Sequence, residues 1–252
     1  MTENITFANA AGDALSARLE TPDEGEIRAY AVFAHCFTCG KAIGAAVQIA
    51  RSLAREGIAT LRFDFTGLSE SEGDFAHSGF QSNVSDLIAA AEFMEQEYES
   101  PRFLLGHSLG GTAAIQAASA IDSVRAVCSI GSPFEPDHAL HLVGDALDTV
   151  QAEGRAKVEL AGRTFEISRD FVDQFESAQM ESIVKNLGRA ILVMHSPVDN
   201  TVGIDHAAKI FGAAKHPRSY ISLDDADHML SRKRDAQYAG RMAAAWATRY
   251  LD

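Results

Sequence analysis

Ser108 stands in the run Gly106-His107-Ser108-Leu109-Gly110-Gly111, behind the apolar residues RFLL and ahead of the helix-forming stretch Thr112 to Ala120. Strand, sharp turn and helix in that order are what G-x-S-x-G needs to hold a serine hydroxyl at the top of a sheet. The turn strains the backbone and leaves no room for bulky neighbours, a condition that Gly106 and Gly110 meet. The helix that follows aims unpaired N–H groups and a partial positive charge at any oxyanion formed there. Ser108 is therefore expected to be a nucleophile.

A serine hydroxyl attacks poorly until a base takes its proton, so a histidine and an orienting acid are required further along the chain. His228 follows the run SYISL and Asp199 follows AILVMH, both in strand-end loops on the side where a parallel sheet presents its ligands. Among nine histidines, His228 is singled out by that position. Asp224, Asp225 and Asp227 compete with Asp199 for the acid role, but they share one short loop with His228, and a neighbour in sequence reaches the far ring nitrogen poorly. Asp199 is the expected acid. The oxyanion hole is expected from the backbone N–H groups of Leu109 and of Phe37, the latter in the loop His35-Cys36-Phe37-Thr38-Cys39-Gly40-Lys41. His107 and the aromatic residues Phe165, Phe171 and Phe175 are the expected pocket lining, with the three rings enclosing an acyl or aryl group against Phe37.

The elements that must position these residues follow from periodicity. Short β-rich runs alternate with helical ones, the pattern of a mostly parallel sheet covered on both faces. Strands are expected at 4–7 and 15–20, paired as an antiparallel edge, and then at 29–35, 59–65, 102–106, 126–130, 190–195 and 219–223. Apolar residues at helical spacing, such as Ile43, Val47, Ala50 and Ala54, or Val84, Leu87, Ala91 and Met94, mark the buried faces of helices between them. Residues 133–186 break the rhythm and read as a lid. Within it, 136–153 is expected to be helical, 157–168 a hairpin turning at Ala161-Gly162, and 169–177 and 180–186 short helices. The whole chain, 1–252, reads as one domain.

Composition limits the partners. Lys and Arg total 22 against 35 Asp and Glu, a net charge of −13 that opposes nucleic acid and anionic membrane surfaces. No apolar run is long enough to span a bilayer, and the first twenty residues lack the pattern of a secretory signal, so a cytoplasmic location is expected. Three cysteines, Cys36, Cys39 and Cys128, are too few for a disulfide scaffold, and reduced thiols are expected. The Cys36-x-x-Cys39 pair has no second pair to complete a zinc site, and the chemistry requires no metal or organic cofactor. Because the two cysteines flank Phe37, a bridge between them would reshape the oxyanion loop and misdirect the Phe37 N–H. Small residues that merely fit a tight turn are the plainer explanation.

With these residues in place the chain resembles the α/β-hydrolase superfamily along nearly its whole length, and within it the serine-aminopeptidase-like S33 branch. It is similar to cinnamoyl and feruloyl esterases, and to the hydrolase module that some bacterial proteins carry fused to an OsmC-type peroxide-reducing domain. The matching segments are AHCFTCGK (34–41), LRFDFTGLSESEGDF (61–75), LLGHSLGG (104–111), HSPVDNTV (195–202) and SLDDADHML (222–230). All lie in the hydrolase part, so no peroxidase activity is carried over. Cys36 departs from the His-Gly oxyanion loop common in the superfamily. The resemblance implies an α/β-hydrolase fold with an eight-stranded sheet and a helix-and-hairpin lid. It also implies hydrolysis of a small carboxylic ester through an acyl-enzyme. Thioester and amide hydrolysis use the same constellation, a non-catalytic redox-sensing protein on this fold is the rival from another class, and a homodimer stays open.

Overall fold

The computed structural model describes residues 1–160, 162–176 and 179–251. The first half of the chain forms β1 (Thr2–Ala8), β2 (Ala14–Glu20), β3 (Ala29–Ala34), α1 (Gly44–Arg55), β4 (Ile58–Phe63), α2 (Phe80–Glu97), β5 (Phe103–His107), α3 (Leu109–Ala118) and β6 (Ala126–Ile130). The second half adds α4 (Ala146–Glu153), β7 (Arg155–Leu160), β8 (Arg163–Ser168), α5 (Arg169–Glu176), α6 (Met180–Lys185), β9 (Ala190–His195), α7 (Ile204–Ala213), β10 (Arg218–Ser222) and α8 (Lys233–Leu251). Eight strands make one sheet in the order β1-β2-β4-β3-β5-β6-β9-β10. The pairings β1–β2 and β2–β4 are antiparallel and the other five are parallel. All eight strands expected from the sequence are present, with ends within two residues of those expected.

Alternation of side chains across the central strands divides the core into two layers. Leu61, Val32, Leu104, Val127 and Ile191 are in register across five strands and point to one face, where α2, α3 and α7 cover them. Phe33, Leu105, Cys128 and Leu192 form the adjacent row and point to the other face, under α1 and α8. Each such side chain, fully withdrawn from water, contributes roughly 1.5–3 kcal/mol. Cys128 is a free, buried thiol in this row, and burial pushes its pKa up, so it behaves as a small apolar packing residue. Where α8 crosses α1, a Cβ on Gly240 would meet Ser52 Cβ at 2.7 Å and Ile49 Cα at 3.0 Å, so the close approach requires glycine.

Between β6 and β9 the chain leaves the main sheet, and the β7–β8 hairpin makes a separate two-stranded sheet. The expected helix at 136–153 is in fact two pieces, a 3-10 turn at Pro136–Leu142 and then α4, because the chain passes through Gly144 at φ +56°. Ala161 of the hairpin turn and Ser177, expected to end a helix, lie outside the described residues. The insertion is tied to the body at the 3-10 turn Phe75–His77: Ser168 Oγ donates to the Ala76 carbonyl at 2.6 Å and Gln174 Nε2 to the His77 carbonyl at 3.2 Å.

Candidate active site

Ser108 sits between β5 and α3 with φ +55° and ψ −131°, a backbone conformation that a non-glycine residue holds only when its surroundings over-determine it. The glycines that flank it on either side are packed against backbone. A Cβ on Gly106 would fall under 3.0 Å from the Gly110 carbonyl, and one on Gly110 would fall under 3.0 Å from the carbonyls of Ala34 and His35 at the end of β3. The glycines thus let the elbow close on itself and bring the loop after β3 against the nucleophile.

His228, in the loop between β10 and α8, places Nε2 3.1 Å from Ser108 Oγ and Nδ1 2.7 Å from Asp199 Oδ2. The other Asp199 oxygen, Oδ1, accepts from the backbone N–H groups of Thr201 (2.8 Å) and Val202 (2.9 Å). Burial works to raise the Asp199 pKa, but the hydrogen bonds from His228, Val202 and Thr201 outweigh it and hold the carboxyl below its ordinary range. An ionised Asp199 favours the Nδ1–H tautomer of His228 and leaves Nε2 as an acceptor facing the Ser108 hydroxyl. Two of the three competing carboxylates are engaged elsewhere: Asp225 with Arg232 and Arg234, Asp227 with the hydroxyl and N–H of Ser231. Gly131 closes the site, since a Cβ there would lie 3.5 Å from Asp199 Oδ2 and 3.6 Å from His228 Nδ1.

Leu109 is the first residue of α3, where a backbone N–H has no partner within its own helix. Phe37 lies in a β-turn closed by Cys39 N–H donating to the Cys36 carbonyl at 3.0 Å, with Thr38 at φ +57°. Among the described residues neither N–H has a protein acceptor.

Three expectations are corrected by the structure. Cys36 and Cys39 are not reduced: they form a disulfide with Cα atoms 5.3 Å apart, because the tight turn already brings the two side chains together. His107 does not line a pocket. It is fully buried under His228, and its Nε2–H donates to the His228 carbonyl at 2.6 Å. Phe165 stands behind Phe75, with ring centroids 4.5 Å apart, and does not reach the aromatic cavity.

That cavity is lined by Phe37, Phe65, Leu68, Phe75, Phe171 and Phe175, and its volume is only about 10 Å³. Phe37 meets Phe171 at 6.1 Å and Phe175 at 6.0 Å, so these rings do come together as the sequence suggested.

Sequence reasoning missed the side chains that hold the site from behind. His195 Nε2–H donates to the Val202 carbonyl at 2.8 Å, beside the acid. Lys41, buried, pairs with buried Asp64 at 2.5 Å, and Asp64 also accepts the Lys41 N–H. Arg62, held by Glu20, donates to the Lys41 carbonyl. The charged residues inside the apolar run LRFDF were the signal available for this network, because buried charges require partners.

The family described as serine aminopeptidase, S33 (Hydrolase_4) matches residues 25–170. The chain belongs to this family. Its eight-stranded sheet and flanking helices are those of the α/β-hydrolase fold. The chain is similar to the esterase domain of a Rhodothermus marinus protein, 44% identical over all of both chains with a TM-score of 0.83. The structure of Est1E from Butyrivibrio proteoclasticus with ferulic acid bound covers 98% of this chain and 99% of its own, at 18% identity and a TM-score of 0.84, a likeness of fold. Monoglyceride lipase from Rattus norvegicus is 34% identical over 115 residues, a match that spans 45% of this chain and 37% of the lipase. Among the described residues no helix is long and apolar enough to cross a membrane.

Proposed function

We propose that this protein hydrolyses carboxylic esters through an acyl-enzyme. Ser108 attacks the ester carbonyl carbon while His228 Nε2 takes the hydroxyl proton, and the tetrahedral oxyanion is held by the N–H groups of Leu109 and Phe37. Collapse expels the alcohol, protonated by His228. Water, activated by the same imidazole, then releases the acid and restores the serine. Asp199 keeps its charge throughout and stabilises the imidazolium.

The observation that carries this reading is the continuous hydrogen-bond chain Ser108–His228–Asp199, at 3.1 and 2.7 Å, built on a serine held at φ +55°. The rings of Phe171 and Phe175 set against Phe37, next to the oxyanion loop, support a preference for short acyl or aryl groups over long chains. The esterase, lipase and ferulic acid names among the similar proteins agree with an ester substrate. The test is a panel of p-nitrophenyl esters of increasing acyl length, with methyl ferulate and a thioester, on wild type and Ser108→Ala. Expected are hydrolysis that falls beyond short acyl chains and a loss on the order of 10⁶ in Ser108→Ala. Labelling of wild type by a fluorophosphonate separates this reading from a redox-sensing protein on the same fold, which would not react.

A further inference from the structure

We infer that His35 is a positioning residue for the oxyanion hole, acting through the Cys36–Phe37 peptide whose N–H faces the reacting carbonyl oxygen. The inference rests on the ester-hydrolase reading and deepens it.

The Cys36 carbonyl and the Phe37 N–H belong to one peptide unit, and in a planar trans peptide the two point in opposite directions. The described chain has its only cis bond elsewhere, at His216-Pro217. Whatever grips the carbonyl therefore aims the N–H. The Cys36 carbonyl is gripped twice, by His35 Nδ1 at 2.8 Å and by Cys39 N–H at 3.0 Å. The tautomer of His35 follows from its other nitrogen. Phe65 N–H approaches Nε2 at 3.3 Å, and an amide can only donate, so Nε2 is an acceptor and the ring proton sits on Nδ1, pointed at the carbonyl. Burial lowers the His35 pKa to about 4, which keeps the ring neutral and this arrangement single at ordinary pH. The Phe65 ring, 4.7 Å from the imidazole, fixes its plane.

The grip is needed because the turn it holds is unfavourable. Thr38 is β-branched and sits at φ +57°, a conformation such residues rarely adopt. With one donor fewer on the Cys36 carbonyl, the Cys36–Phe37 peptide is freer to rotate about Cys36 ψ and Phe37 φ, which turns the Phe37 N–H away. In His35 the two nitrogens have separable tasks: Nδ1–H holds the peptide, Nε2 holds the Phe65 backbone.

Two substitutions divide those tasks. The amide nitrogen of Asn sits where Nδ1 was and still donates to the carbonyl. Gln reaches the Nε2 position and satisfies Phe65 but leaves the carbonyl with one donor. On p-nitrophenyl acetate, His35→Gln is expected to lower kcat by roughly 10- to 100-fold with KM within a factor of about three. That is short of the 10²–10³ lost when an oxyanion donor is removed outright. His35→Asn is expected to keep more than about a tenth of the wild-type kcat, whatever its melting temperature. Equal kcat in the two variants, or kcat following thermal stability instead of the δ-position donor, would overturn the inference. In the wild-type protein, long-range proton–nitrogen correlation reads the tautomer without any variant: a proton on Nδ1 of His35 is expected, and a proton on Nε2 would refute it. Loss of activity in Ser108→Ala alongside full activity in His35→Gln removes this inference alone, whereas an active Ser108→Ala removes the hydrolase reading beneath it.

Discussion

Asp199 differs from its rivals in what its two oxygens do. One is committed to backbone N–H groups and the other to His228, so the carboxylate can neither rotate nor change partner. Asp199→Asn should lower kcat by on the order of 10⁴, because the amide offers its NH₂ to Nδ1 and stabilises the tautomer that cannot accept the serine proton. Asp225→Asn and Asp227→Asn should stay near wild type in the same kcat assay, and the reverse ranking would reassign the acid. His107 acts on the opposite side of the same ring: its Nε2–H holds the His228 carbonyl, while its Nδ1 is buried without a hydrogen-bond partner. His107→Gln, which keeps a donor at the ε position, should retain more activity than His107→Asn, which does not reach; equal losses would mean that bulk alone matters there.

At the scale of elements, a buried histidine ends β5 and β9 and directly follows β3, and each donates to a loop carbonyl: His35 to Cys36, His107 to His228, His195 to Val202. The strands thus supply rigid posts, and the loops that carry Phe37, His228 and Asp199 hang from them. The disulfide lies within the first of these loops and coexists with the gripped Cys36 carbonyl. Reduction with dithiothreitol, or the Cys36→Ser, Cys39→Ser pair, should therefore change kcat by less than about tenfold, since His35 and the Cys39 N–H still hold the carbonyl. A reversible loss of about 100-fold, the scale of a lost oxyanion donor, would make the bridge a switch. In the insertion, α5 carries Phe171 and Phe175 against Phe37 and leaves little open volume. Phe171→Ala should shift kcat/KM from acetate toward butyrate and hexanoate esters, at a cost of about 3–5 kcal/mol in stability by denaturant titration. An unchanged chain-length profile would place the acyl group elsewhere.

For the molecule as a whole, the scaffold histidines bind stability to pH. Burial lowers the pKa of His35 and of His107 from 6.5 to about 4, so unfolding takes up protons on both between those values. Stability from this source is complete above pH 6.5 and is lost as pH falls through 4. Asp86 works the other way. Burial raises it to about 6 despite its bonds from Thr66, so unfolding releases its proton between 3.8 and 6, and its contribution is lost as pH rises through 6. Two protons taken up against one released leave a net loss of stability on acidification from pH 6.5 to 4, on the order of a few kcal/mol. Asp86→Asn, which keeps a partner for Thr66, should be more stable than wild type at pH 8 and should lose stability more steeply on acidification. Urea titration at pH 8, 6 and 4.5 checks this, and a wild type whose stability rises on acidification would contradict it.

The fold of this protein and the chain order of its candidate site were legible in the sequence, because both are written in neighbouring residues. G-x-S-x-G, the apolar runs before Asp199 and before His228, and the alternation of strands with helices are local covalent patterns. Periodicity reports directly which face of an element is buried. The break in that rhythm after β6 likewise marked the insertion, and only Gly144 divided its first helix unexpectedly. What tertiary structure alone decided are contacts between residues remote in sequence. His107 read as a pocket residue until a carbonyl 121 residues away appeared on its ring nitrogen. Phe165 and Phe75 were indistinguishable as aromatic residues until packing put one in front of the other. His35 carried no signal beyond its place after a strand, since its role depends on the Phe65 backbone lying against its far nitrogen. Residue type limits which bonds a side chain is able to make, whereas the partner it finds is set by where the whole chain leaves the matching donor or acceptor.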